Sequence, residues 1–220
     1  MSKHTQHHLM AVKRILSYLK GTLHNGIHFQ PGSFALSAYC DANWAGDPLD
    51  RKSITGMVLF LSNSPITWSA KKQLTVARSS TEAEYRALAT ITAKLSWIRM
   101  ILKDLSVFLS LPPMLWCDNV SELALAFNPI FHARTKHIEV DYHYIRDKVL
   151  GKELKVNFVS SLDQLADIFT KALSSPQFLD LPHKLMGVPP LSLRGDVNAY
   201  ADADKAVDKA VGKRPIVEIK

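Results

Sequence analysis

Cysteine is nearly absent from this chain: there are two, Cys40 and Cys117, among 220 residues. That is too few for a disulfide framework, so the fold has to rest on an apolar core. Both thiols are expected to sit reduced inside it, with a disulfide open to them only if their strands are neighbours. Long apolar runs are absent as well. The first residues, Met1-Ser-Lys-His-Thr-Gln-His-His8, lack the apolar stretch of a signal peptide, and no segment approaches membrane-spanning length. The expected setting is therefore intracellular, cytoplasmic or nuclear, with no membrane partner. Clustered histidines and thiolates at zinc-site spacing are also missing. His132, His137, Asp141 and His143 read as solvated positions on a loop and a helix face. No longer internal repeat is found.

What is present is globular. Hydrophobic residues make up 47% and charged residues 21%, and the length allows one ordinary domain plus tails. The formal charge of +7 favours a polyanionic partner, although many basic proteins bind no nucleic acid.

The first segment, His8 to Lys20, places Leu9, Val12, Ile15, Leu16 and Leu19 on one helical stripe, with Gly21 as a stop. This helix has no partner within its own segment and reads as the end of a neighbouring domain. Three regions follow: a remnant over 1–30, a central domain over 31–175 and a C-terminal extension over 176–220. The extension shifts to Ala, Asp, Lys and Val from Asp196 and is expected to be partly disordered.

The central domain opens with Ala35-Leu-Ser-Ala-Tyr-Cys-Asp41, a buried strand by its alternation, ending at Asp41. Ile54 to Leu61 reads as a second strand. Ile66 to Ser69 and Leu74 to Ala77 read as a third, interrupted by Lys71 and Lys72. Short turns join them, which implies an antiparallel meander. Ser79-Ser80-Thr81 supplies the cap of a long helix reaching about Asp104. Met114 to Cys117 is a short buried strand that stops at Asp118. A short helix from Val120 to Phe127, a basic loop, a helix from His137 to Leu150 and a strand from Leu154 to Val159 come next. Ser161-Leu-Asp-Gln164 matches a capping box, opening a last helix that carries Asp167. Helix crossovers make the later strands parallel to the first. The expected α/β architecture is a mixed five-stranded sheet, three strands antiparallel plus two parallel, flanked by helices. Parallel strands end at one edge, so Asp41 and Asp118 are expected side by side there.

A carboxylate at the end of a buried strand is costly unless positive charge meets it. Four acids, Asp41, Glu82, Asp118 and Asp167, stand at such element ends and are read as converging on divalent metal. Mg²⁺ is hard and takes oxygen ligands. Two such ions about 4 Å apart activate water and neutralise the leaving oxygen of a phosphodiester. Each acid also has a plainer reading: Asp41 as a turn cap, Asp118 as a helix N-cap, Glu82 as the acidic partner of a Ser79-x-x-Glu82 capping box, Asp167 as a solvated helix residue. Glu84, two residues further along the helix than Glu82, is expected to point elsewhere. The basic residues Arg51, Lys52, Lys71, Lys72, Arg78, Arg134 and Lys136 fall in loops or at element ends, where they form either an ordinary charged surface or a track for phosphates. Trp44, Trp68 and Trp116 read as core or platform residues.

Seven motifs occur in order: Tyr39-Cys-Asp-Ala-Asn-Trp-Ala-Gly46, Asp50-Arg-Lys-Ser-Ile-Thr-Gly56, Trp68-Ser-Ala-Lys-Lys-Gln73, Ser79-Ser-Thr-Glu-Ala-Glu-Tyr-Arg-Ala-Leu88, Cys117-Asp-Asn119, His132-Ala-Arg-Thr-Lys-His-Ile138 and Asp163-Gln-Leu-Ala-Asp-Ile-Phe-Thr-Lys171. Together they resemble the ribonuclease H domain of copia-type LTR retrotransposon polyproteins. Tyr18-Leu-Lys-Gly-Thr22 resembles the end of the preceding reverse transcriptase domain. The resemblance implies a ribonuclease H-like fold and an endonuclease that hydrolyses the RNA strand of RNA–DNA hybrids, leaving 3′-hydroxyl and 5′-phosphate ends. It implies two Mg²⁺ ions, with Mn²⁺ as a substitute, on Asp41, Glu82, Asp118 and Asp167. Its implied partners are an RNA–DNA hybrid and a reverse transcriptase domain. Asn119 and the Ser79-Ser80 backbone are the candidates for 2′-hydroxyl contacts. The chain departs from the family pattern in lacking a histidine in Ser160-Ser161-Leu162, in having Asn43 where aspartate is more usual, and in Val120-Ser-Glu-Leu123. It carries no reverse transcriptase acid motif. The competing reading is a catalytically inactive, domesticated or decaying fragment that binds nucleic acid or a protein partner, and a third is another nuclease on the same fold.

Overall fold

The computed structural model describes residues 5–22, 26–27, 29–119 and 139–186. The helix expected over 120–127, the basic loop with Arg134 and Lys136, and the tail from Asp196 lie outside the described residues. The chain divides into two compact units. One carries α1 (Gln6–Gly21), a 16-residue helix with no buried residue, on which the stripe of Leu9, Val12, Ile15, Leu16 and Leu19 is exposed. Among the described residues no helix is long and apolar enough to cross a membrane.

The second unit is built on five strands and four helices among the described residues. In chain order these are β1 (Leu36–Asn43), β2 (Ile54–Leu61), β3 (Ser64–Lys72), α2 (Ser80–Asp104), β4 (Met114–Cys117), α3 (Glu139–Leu150), β5 (Lys155–Phe158), α4 (Asp167–Thr170) and α5 (Ser175–Met186). The strands form one sheet in the order β3-β2-β1-β4-β5. β1, β2 and β3 are successively antiparallel, while β4 runs parallel to β1 and β5 parallel to β4. This is the mixed sheet expected from the order of elements.

Strand alternation sorts β1 between two cores. Leu36, Ala38 and Cys40 join Met57 and Leu59 beneath Leu88, Ile91 and Leu95 of α2 and Ile145 of α3. Tyr39 joins Val58 and Phe60 on the opposite face, against Leu165, Ala166 and Leu181. Leu185 of α5 also packs on this second core. Cys40 and Cys117 are both buried in the first core, and no disulfide joins them. Asp41, next to Cys40 along β1, therefore alternates toward the other face, and Asp118 follows directly after β4.

The clearest boundary differences are in β1 and β3, while β5 is one residue shorter at each end than expected. β1 continues past Asp41 to Asn43, because β2 pairs with it along its whole length, Asn43 standing opposite Ile54. The third strand is not split by its lysines. β3 runs unbroken through Lys71 and Lys72 and ends before Leu74. It lies at the sheet edge, where charged residues and Pro65 are well tolerated. Beyond it, the Gln73 backbone N–H donates to Ser53 O (2.8 Å), one more bond in the same register, while Gln73 Nε2 donates to Ala83 O (2.8 Å) and ties this end of the strand to α2.

The start of α2 matches its sequence signal: Ser79 is the N-cap, and its Oγ accepts from the Glu82 backbone N–H at 3.1 Å. A glycine decides how α4 is seated. Gly56 of β2 lies opposite Asp41 in the ladder. A Cβ there would sit 2.6 Å from Thr170 Cγ2, 2.9 Å from Ala166 O and 2.9 Å from Phe169 Cβ. Only a residue without a side chain lets α4 lie this close to the strand. Gly56→Ala is expected to lower stability by about 1–3 kcal/mol, the usual cost of overpacking. A urea midpoint that does not move would show that α4 is not held against β2.

Candidate functional site

Three acids from three elements meet at the edge where the parallel strands finish. Asp41 lies near the end of β1 and is buried. Thr170 Oγ1 of α4 donates to its Oδ2, and the Asn43 side chain in turn donates to Thr170 O at 3.0 Å. Asp118 follows β4, the parallel neighbour of β1, and is half-buried. Asp167 opens α4 and is buried. One carboxylate oxygen from each of the three lies within 4.8 Å of the others.

Gln164 links the elements that carry them. It is fully buried, and its Nε2 donates to Cys40 O at 3.0 Å and reaches Asp118 Oδ1 at 3.5 Å. Its Oε1 accepts from Ala166 N at 3.2 Å. The ends of β1 and β4 and the start of α4 are thereby tied by one side chain. The capping box expected from Ser161 to Gln164 does not form. Ser161 Oγ points to Asp118 Oδ2 at 3.4 Å, and α4 is only four residues long with no side-chain cap. Burying a glutamine amide among three polar partners takes precedence over a solvent-side cap, because its groups would otherwise be left unpaired.

Lys171 stands among the acids. Its Nζ is 2.7 Å from Asp167 Oδ1, 3.3 Å from Asp41 Oδ1 and 4.0 Å from Asp118 Oδ2. Burial pushes the Asp167 carboxyl above the usual carboxylate range; the Lys171 hydrogen bond opposes this and the charges of Asp41 and Asp118 add to it. For Lys171, burial acts to lower the pKa. The hydrogen bond to Asp167 and the three carboxylate charges outweigh it, so the group is held above the ordinary lysine value and stays protonated.

Glu82 is not part of this group. Its Oε2 accepts from Arg78 N at 2.8 Å and its Oε1 from Arg86 Nη2 at 2.7 Å. It is committed to the start of α2, the plainer of its two readings. Glu84 was expected to point elsewhere, yet it lines a small hollow with Cys40, Asp41, Ala42, Ala87 and Asp118, and Asn119 Nδ2 donates to its Oε2. Two residues along a helix is a rotation of roughly 200°. Once Glu82 turns back to the cap, that rotation carries Glu84 to the acids. The capping signature around Ser79 was the clue that Glu82 was already occupied.

The basic candidates are placed unevenly. Arg51 and Lys52 precede β2, and Lys71 and Lys72 end β3, which by the antiparallel register is the sheet end where β1 finishes. Lys72 is paired with Asp47, and with Asp50 at 3.2 Å. Arg78 and Ser79 flank the start of α2, where the Ser79 hydroxyl is used as the cap. The Asn119 amide serves Glu84. Of the tryptophans, Trp44 donates Nε1–H to Ala77 O at 3.0 Å, and Trp116 stacks on Tyr39 with centroids 6.2 Å apart.

No protein-family model matches the chain. The retrovirus-related Pol polyprotein from transposon RE1 of Arabidopsis thaliana is 48% identical over 189 residues, which is 84% of this chain and 13% of that protein. This chain is a relative of the transposon Pol polyproteins. The polyprotein from transposon TNT 1-94 of Nicotiana tabacum is 39% identical over 181 residues, 82% of this chain and 14% of that protein. The Pol-related segment thus spans about one-seventh of the length of the curated relatives it matches. A ribonuclease H1 isolated from compost aligns with it in structure at 16% identity and a TM-score of 0.47, covering 62% of this chain and 93% of that one.

Two outcomes are expected of the Pol-related segment. Gln164→Ala should cost about 1–3 kcal/mol, since it leaves buried partners unpaired, and should broaden the NMR signals of residues 40, 118 and 166 together. The Asp167 carboxyl carbon should titrate above the usual carboxylate range. The sign follows: with its folded pKa raised, this group's contribution to stability is full below the ordinary aspartate pKa and is lost as pH rises through the raised value. Titration at or below the ordinary value would contradict the burial of Asp167 beside two other acids.

Proposed function

We propose that this chain is a divalent-metal-dependent nuclease that hydrolyses the RNA strand of RNA–DNA hybrids, with Asp41, Asp118, Asp167 and Glu84 as its acids. The convergence of three carboxylates from β1, the end of β4 and α4 carries this reading. The donor set fits the metal. It is all carboxylate oxygen, the chemistry preferred by Mg²⁺ and Mn²⁺, and a lysine ammonium already occupies the space between the acids. Metal held there would supply a nucleophilic hydroxide and neutralise the leaving oxygen.

The chain's own residues prepare the site. Gln164 fixes the ends of β1 and β4, Thr170 orients the Asp41 carboxylate, and Asn119 orients Glu84. Arg51, Lys52 and Lys71, at the same sheet end, suit the phosphates of a bound polyanion, and Arg134 and Lys136 extend that set by sequence. Products with 3′-hydroxyl and 5′-phosphate ends are what the family resemblance implies. The exposed apolar stripe of α1 suits contact with a reverse transcriptase domain preceding it in a longer chain.

The test is incubation of the purified chain with end-labelled hybrid, RNA duplex and DNA duplex, with and without Mg²⁺. Cleavage confined to the RNA of the hybrid and lost in Asp41→Asn and Asp118→Asn is expected. Glu84→Gln should slow cleavage at least about 100-fold. Glu82→Gln should cost about 1 kcal/mol of stability through its cap and leave the rate per folded molecule near that of the parent. The reverse pattern would restore Glu82 as the site acid. Binding of hybrid without cleavage would favour the inactive-fragment reading, and preference for DNA duplex another nuclease.

A further inference from the structure

Lys171 is neither one of the site acids nor a proposed phosphate contact, and its position is unlike that of any other described lysine. Its ammonium is within 4.0 Å of carboxylate oxygens from Asp41, Asp118 and Asp167 at once. We propose that Lys171 is a tethered counter-ion, occupying the divalent-cation position in the metal-free protein and leaving it when metal binds. This inference rests on the metal-centre reading above and adds a competition built into the same site.

Three observations support it. First, the contacts are exclusive. A Mg²⁺ ion bonds carboxylate oxygen at about 2.0–2.1 Å, whereas the Lys171 nitrogen is 2.7 Å from Asp167 Oδ1 and 3.3 Å from Asp41 Oδ1. An ammonium in that place and a dication on the same oxygens would overlap in space and repel in charge. Second, the acids need a positive charge. Oxygens of three aspartates lie within 4.8 Å of one another on a largely buried edge, and among the described residues Lys171 is the cation whose ion pairs reach all three. Third, the side chain has somewhere to go. Its own exposure is 40%, and it stands at the C-cap of α4 in extended conformation, so its four-carbon stem can swing toward solvent without unwinding the helix. Lys171 follows Asp167 by four residues and Thr170 by one. One short helix thus supplies an acid, the hydroxyl that orients Asp41, and the cation that balances them.

Metal affinity is then weakened by the work of displacing Lys171, and the metal-free protein is protected from the repulsion of its own acids. Lys171→Met, which keeps the stem and removes the charge, separates the two effects. Mn²⁺ binding measured by calorimetry should tighten about tenfold, in line with the changes that neighbours of metal ligands produce. The melting temperature without metal should fall, and the rise on adding Mn²⁺ should exceed that of the parent. A second measurement needs no variant. Acetylation of Lys171 by acetic anhydride, followed by mass spectrometry in the parent protein, should accelerate severalfold at saturating Mg²⁺, against unchanged labelling of Lys13.

Unchanged or weaker Mn²⁺ affinity in Lys171→Met, with parent binding still abolished by Asp41→Asn, would overturn the competition and leave the metal centre intact. Labelling of Lys171 that does not respond to Mg²⁺ would do the same. Absence of Mn²⁺ binding in both the parent and Lys171→Met would overturn the metal centre and this inference together.

Discussion

The mutual repulsion of carboxylates at one sheet edge is the constraint around which the second unit is arranged. Acids placed this close, on a rim of low solvent access, are unfavourable unless their oxygens are matched by donors or cations. The protein meets that demand with short-range partners. Thr170 and Lys171 serve Asp41, Ser161 and Gln164 reach Asp118, and Lys171 holds Asp167. All of these partners come from the stretch 161–171. Its seating against β2 depends in turn on the missing side chain of Gly56. Packing on the sheet and electrostatics at its edge are therefore one problem, solved by one segment.

The start of α2 shows the same economy in a different form. Two glutamates two residues apart take separate work. Glu82 closes the helix start against the Arg78 backbone and the Arg86 guanidinium, and Glu84 faces the acids under the Asn119 amide. Had both pointed one way, either the cap or the hollow would have lost its carboxylate. The helix period enforces the division, since neighbours at this spacing cannot share a face.

Around the acids the charge changes sign. Lysines and an arginine end β3 and precede β2 at the sheet end where β1 stops, within a chain whose net charge is +7. A basic surround with an acidic centre is the electrostatic arrangement that the proposed metal-assisted nuclease requires. The Lys171 ammonium already sets a cation among those acids within the chain itself.

Much of this was legible from residue order. The mixed sheet follows from three short-linked strands succeeded by crossovers, β2 and β4 keep the bounds their apolar runs predict, and Ser79 announces α2 through local hydrogen-bond chemistry. The convergence of Asp41, Asp118 and Asp167 was legible because strand ends and parallel pairing are nearly local rules. Glu84, and not Glu82, lies beside Asp41 and Asp118; sequence spacing shows that the two diverge but not which one faces inward. Gln164 was misplaced for a related reason: its local pattern favours a cap, and only the arrival of Cys40 O and Asp118 from distant strands gives its amide better partners. The position of Lys171 was equally hidden, since a lysine four residues after an aspartate is ordinary on any helix. Three elements must meet before that spacing becomes a cation among three acids. Residue order decided where most strands and helices begin to form, because hydrophobic period, caps and turns act over only a few residues, while pairing with β2 set where β1 ends. The tertiary structure alone decided which polar side chains share the rim, because that depends on distances between parts of the chain more than a hundred residues apart.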